Sequence, residues 1–181
     1  MVRSHGIEDL AFLFLLNAIC VAIPGLSNGI FCVLNGILYG PAWGFIVNWI
    51  SDILGQIILM ELLQKLYDMK KMSNSKVYKL LTGLKSPMLG LIIGYMIPFI
   101  PSATVSYVNI MINKGQRKKQ LIPIIIGVIP FAYLYAYGGD SILHLDGPRL
   151  IKVVISFVVI ALIAVAILLS LRAIKKRTKK A

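Results

Sequence analysis

From Leu10 to Ser51 the chain runs for 42 residues without an Asp, Glu, Lys or Arg. As a single helix that stretch would extend about 63 Å, roughly twice the hydrocarbon core of a bilayer. It is too apolar for a soluble surface and too long for one crossing, so it must be interrupted. The interruptions are "IPG" at 23–25 and "YGP" at 39–41. Residues 8–23 form a short or tilted helix, and residues 42–64, about 34 Å long as a helix, form a full span. Residues 26–39, about 21 Å as a helix, are too short to cross comfortably and read as re-entrant. Asn28, Gly29, Asn35 and Gly36 within them favour a turning path.

A second uncharged stretch runs from Ser86 to Asn113, with Pro98 and Pro101 near its middle. Its flanks decide how it is used. Residues 65–85 hold six lysines, and residues 114–119 hold Lys114, Arg117, Lys118 and Lys119. One crossing would place these basic bands on opposite faces of the membrane. A hairpin that enters and leaves on one face keeps both cytoplasmic, as the distribution of positive charge favours. The prolines fall where such a hairpin turns.

Over the whole chain 58% of residues are hydrophobic and 14% charged, against about 25% charged in soluble domains. The net charge of +12 lies in bands between apolar stretches, which argues against nucleic acid as a partner. The expected architecture is an all-α integral membrane protein with an inverted repeat: two facing re-entrant helical hairpins, at about 25–40 and 88–112, plus spans at about 8–23, 42–64, 121–138 and 150–171. Residues 1–171 make one polytopic domain, followed by a basic cytoplasmic tail, 172–181. Both termini are then cytoplasmic in a multi-pass protein of the cell membrane, and 17 of 19 Lys and Arg lie inside, Arg149 and Lys152 being the exceptions. Residues 67–85 read as an amphipathic helix on the cytoplasmic surface. Inverted hairpins build sites at the membrane midplane, and non-helical backbone at that depth needs protein or water around it. A polar cavity between the hairpins is therefore expected. Pro24 precedes Asn35 by 11 residues and Pro98 precedes Asn109 by 11, an echo consistent with a repeat.

Three blocks in order carry a family resemblance. "IPG…GILYGPAWGFIVNWISDILGQ", with Gly36, Gly40, Gly44 and Gly55, resembles the first block of the DedA and SNARE-associated Golgi protein superfamily, the VTT-domain proteins. "IPFIPSATVSYVN" resembles its second re-entrant loop, and "IGVIPFAYLYAYGGDSI" the helix that follows. The resemblance implies two facing re-entrant hairpins and lipid handling, the movement of phospholipid or polyprenyl-phosphate headgroups between leaflets. Three positions depart from the pattern. Tyr95 stands where relatives often place an Arg, Ile110 where a glycine is common, and Glu61 near a usual basic residue. Lys114 or Arg117 would then have to take over the anion-binding role given to the Arg.

Asp52 lies near the middle of the span 42–64, where an ionisable group is costly, about 2.5–3.5 kcal/mol on insertion scales, and faces a cavity. It is the first candidate for proton coupling, against the alternative of bonding to Ser51, Asn48 or loop backbone. Glu61 is the second, although Lys65 at i+4 offers an ordinary ion pair. Asn28, Asn35, Ser102, Thr104, Ser106 and Asn109 can bond a phosphate or satisfy backbone freed by the turns, and Lys114 and Arg117 can hold an anionic headgroup. Pro24, Pro98 and Pro101 shape the hairpins. Trp43 and Trp49, with Tyr39, fit an interfacial belt only in part, Trp49 lying deeper, and Tyr133, Tyr135 and Tyr137 read as belt residues. Ser141 and His144 lack the partners a hydrolase needs. No metal-ligand, phosphate-loop or dinucleotide spacing is present, and Cys20 and Cys32 read as small apolar residues, so neither enzyme nor cofactor is expected. The expected function is transport or scrambling of an anionic lipid between leaflets, with proton coupling. A non-transporting membrane-organising protein of the same fold and a small-solute transporter are the alternatives, and homo-oligomerisation stays open.

Overall fold

A computed structural model describes residues 6–66, 78, 80–81, 86–97 and 100–178. Seven helices appear among them and no strand: α1 Ile7–Ala22, α2 Gly29–Leu66, α3 Pro87–Met96, α4 Ser102–Ile112, α5 Arg117–Gly127, α6 Ile129–Leu143 and α7 Gly147–Thr178. The expected surface helix 67–85 lies largely outside the described residues, as does Pro98.

α1 ends at Ala22, just before "IPG". α2 is broken inside: Gly40 has φ 77° and ψ 178°, a left-handed excursion open to glycine. Pro41 then starts the second segment, a position that suits its fixed φ. The two segments, 29–39 and 41–66, fold back on one another. Asn48 donates from Nδ2 to the Cys32 carbonyl at 2.9 Å and accepts from Asn35 Nδ2 at 2.8 Å. The contact is backbone on backbone, since a Cβ on Gly44 would lie 2.8 Å from the Asn35 carbonyl oxygen. Small residues permit this approach where lipid supplies no hydrophobic drive between helices.

The second half follows a similar course. α3 ends at Met96, α4 begins at Ser102, and Gly115, with φ 74°, sits in the turn before α5. α5 and α6 join around Val128. Leu59 and Leu63 of α2, Leu91 of α3, Tyr107 and Val108 of α4 and Ile124 of α5 close one buried core. α2 packs chiefly on α6 and α1. α7 is peripheral and leaves Ile151, Val154, Val158 and Leu162 exposed, as a lipid-facing helix should.

Among the described residues, three stretches are long and apolar enough to cross a membrane: 29–65 with 37 residues, 117–143 with 27 and 147–167 with 21. α1, at 16 residues, is shorter. The chain is an α-helical membrane protein.

Candidate functional site: a cavity between two helix-connecting loops

The loop after α1 and the loop after α3 approach the middles of the two long stretches, and a cavity of about 280 Å³ lies between them. The first loop contributes Leu26, Ser27 and Asn28, and the second Ile97, Ile100 and Pro101, with Ser102 opening α4. Asp52 and Gln56 of α2 form one wall; Tyr95 of α3 with Val128, Phe131 and Tyr135 form another.

Asp52 is 8% exposed and held from two sides. Asn17 of α1 donates from Nδ2 to its Oδ1 at 3.1 Å and to Ser51 Oγ at 2.5 Å. Asn28 donates to the same Oδ1 at 2.8 Å and to Cys32 Sγ at 3.3 Å. Ser51 in turn donates to the carbonyls of Val47, at 2.6 Å, and Asn48, at 3.1 Å. A carboxylate in low dielectric needs such donors, because an unpartnered buried charge is far costlier than a bonded one. The network ties α1, the first loop and α2 together at Asp52.

One turn further along α2, Gln56 Oε1 accepts from Ser106 Oγ at 2.7 Å, and Ser106 shares a hydrogen bond of 2.8 Å with the Tyr95 hydroxyl. This second network joins α2, α3 and α4.

A family model of the VTT domain matches residues 23–141. The chain belongs to the VTT-domain family. No curated protein and no solved structure matches the chain. The matched region begins at the first loop and ends in α6, so it contains every cavity residue except Val21; all of α1 and all of α7 lie outside it.

Of the residues singled out in the sequence, Asn28, Asp52, Pro101 and Ser102 meet at the cavity of this VTT domain. Pro24 is exposed in the first loop. Pro101 starts α4, its carbonyl accepting from Thr104 N–H at 2.9 Å and Val105 N–H at 3.3 Å. Thr104 is half-buried and off the cavity wall. Asn35, Ser106 and Asn109 are fully buried, and they answer other protein groups. Asn109 donates to the Gln120 carbonyl at 2.8 Å and accepts from Asn113 Nδ2 at 2.9 Å, which braces the turn between α4 and α5. Lys114 is exposed in that turn. Glu61 is met by Arg117, at the start of α5, where the sequence suggested Lys65; neither Glu61 nor Arg117 lines the cavity.

Asn17, Gln56, Phe131 and Tyr135 belong to the site and were not anticipated there. Asn17 carried a usable signal, as an amide within an otherwise apolar helical run, and so did Gln56, four residues after Asp52 and hence on its face. Tyr135 was read as an interfacial belt residue. It lies instead on the cavity wall, its ring 3.5 Å from where a Cβ on Gly29 would be.

Proposed function

We propose that this VTT-domain protein moves a phosphate-bearing lipid between leaflets, its headgroup passing through the cavity while the chains stay in the bilayer. The observation that carries the reading is the cavity itself, a half-polar hollow where α2 and α4 begin. The first turn of a helix presents free N–H groups that favour an anion, and Ser27, Asn28 and Ser102 stand beside those two helix starts. The phosphate is the anionic part of the ligand, and Asp52 is the proton-coupling group.

The lipid reading rests on a re-entrant, inverted arrangement. Gly55 packs on Ala18 and Val21, and Gly127 packs on Ile92 and Tyr95. Gly40 and Gly115 share the same left-handed φ. These pairs recur at offsets of about 72–75 residues, which supports two copies of one unit, each a helical hairpin followed by a long helix. In the first unit the hairpin arms are α1 and residues 29–39, with residues 23–28 at the tip. Ala18 and Val21 pack deep along α2, and Asp9 interacts with Tyr39 beside Gly40, so α1 starts near the end where 29–39 finishes. On this reading α1 is an arm and not a span.

That moves the N-terminus. With the basic segment after α2 cytoplasmic, the start of α1 faces outward, and only Arg3 changes side, leaving 16 of 19 Lys and Arg inside. An N-terminal tag is expected to be cut by external protease on intact cells while a C-terminal tag is protected. An N-terminal tag protected until lysis returns α1 to a span and removes the first hairpin.

Transport itself is tested with purified protein in liposomes carrying phospholipid labelled on the headgroup or a chain. The protein is expected to expose inner-leaflet label to an impermeant quencher well above the protein-free rate. No acceleration by folded protein rules the reading out.

A further inference from the structure

We propose that the cavity selects a headgroup carrying an ammonium group as well as a phosphate, with Asp52 as counter-ion to the ammonium. The inference rests on the lipid reading above and narrows its substrate. It starts from the charges that line the cavity. Asp52 is its one acidic residue, and no Lys, Arg or His stands among the described lining residues. Arg117 is engaged by Glu61, and Lys114, Lys118 and Lys119 are exposed away from the wall.

Asp52 has no cationic partner among the described residues. Its two amide hydrogen bonds both fall on Oδ1, so the carboxylate borders the cavity with neutral donors only. A headgroup that is purely anionic would meet this one carboxylate and nothing cationic to balance it. A headgroup with a cation brings the missing counter-charge, and a desolvated ion pair holds only when both partners are present.

The aromatic part of the lining suits the same cation. Phe131 and Tyr135 lie with ring centroids 6.3 Å apart, and Phe157 of α7 backs them at 4.7 Å and 5.4 Å. Aromatic rings that share a cavity lining with a carboxylate form the kind of site that receives an ammonium group. Ser27 and Ser102 are left for the phosphate.

The test compares labelled phosphatidylethanolamine with phosphatidylglycerol of the same chains in proteoliposomes. Binding of the soluble headgroups, glycerophosphoethanolamine and glycerophosphoglycerol, is read separately as a shift in thermal unfolding. Wild type is expected to move the ethanolamine lipid about thirtyfold faster or more, the lower end of what losing one partner of a buried charge pair costs. In Asp52→Asn the ratio is expected to collapse to about threefold or less. Tyr135→Leu, which keeps the carboxylate and removes an aromatic face, is expected to lower the ratio partway and carries the test should Asp52→Asn not fold. Equal rates for the two lipids in wild type overturn the ammonium site and leave lipid transport standing. If neither lipid moves yet glycerophosphoethanolamine alone stabilises the protein, the lipid reading fails and the ammonium site stands as one for a soluble amine. Neither movement nor selective binding overturns both.

Discussion

Gly139→Ala is expected to destabilise the protein by about 3 kcal/mol or more, at the upper end of what overpacking a close-packed contact costs. Gly139 is in the middle of α6, where alanine is intrinsically favoured over glycine by about 1 kcal/mol. Packing overrides that preference. A Cβ there would run into the carbonyl oxygen of Val33 and lie 3.0 Å from the Ile37 nitrogen, both in the first segment of α2. The obstacle is backbone, so no rotamer change relieves it, and the helices must separate. Thermal unfolding in detergent measures the loss. Gly147→Ala is the control, because nothing lies within 4 Å of a Cβ there, and its unfolding temperature should match wild type. A Gly139→Ala protein as stable as Gly147→Ala would show that α2 and α6 do not meet as closely as described.

Asn48→Ala is expected to cost about 3 kcal/mol, the upper end of the penalty for leaving a buried polar group unsatisfied. Asn48 is fully buried and ties three segments. It donates to Cys32 O at 2.9 Å and Ala132 O at 3.3 Å and accepts from Asn35 at 2.8 Å. Asn35 Oδ1 already has no partner among the described residues, so the truncation leaves its whole amide unanswered. Removing both side chains takes away the orphan with its partner. Asn35→Ala combined with Asn48→Ala should therefore cost less than the sum of the two single changes. Simple additivity would mean that the amides are not coupled.

Much of this fold was legible because a bilayer imposes lengths. The breaks at 23–25 and 39–41 stood out against the uncharged run, and α1 ends and Gly40 leaves the helix at those places. The stretches 117–143 and 147–167 likewise contain the spans expected at 121–138 and begin the one at 150–171. The part played by α1 was not legible. Its 16 residues suit either a tilted crossing or one arm of a hairpin, and only Arg3 precedes it to weigh on the charge balance. The proposed reading as an arm is supported by the packing of Ala18 and Val21 on Gly55, a contact between distant positions that no local pattern announces.

The site was legible in part for a related reason. Asp52 stood out by its cost in an apolar span, and Asn28 and Ser102 as polar residues of the expected hairpins. Asn35, Asn109 and Ser106 carried the same polar signal, yet their partners are buried protein groups. Residue type alone cannot separate a side chain that answers a ligand from one that answers a turn. Tyr135 was misplaced because an aromatic near a helix end fits a belt as well as a cavity wall, and only the position of Gly29 and Phe157 around it decides.

The most direct measurement is phospholipid translocation in proteoliposomes by a variant whose cavity is filled. Ser102→Trp puts an indole into the hollow from the start of α4. Ile151→Trp adds the same bulk to the exposed face of α7 and serves as control. With both proteins folded, Ser102→Trp is predicted to slow movement to the protein-free rate while Ile151→Trp keeps the wild-type rate. Translocation by Ser102→Trp as fast as wild type would contradict the account, because the headgroup would then cross the membrane by some route other than this cavity.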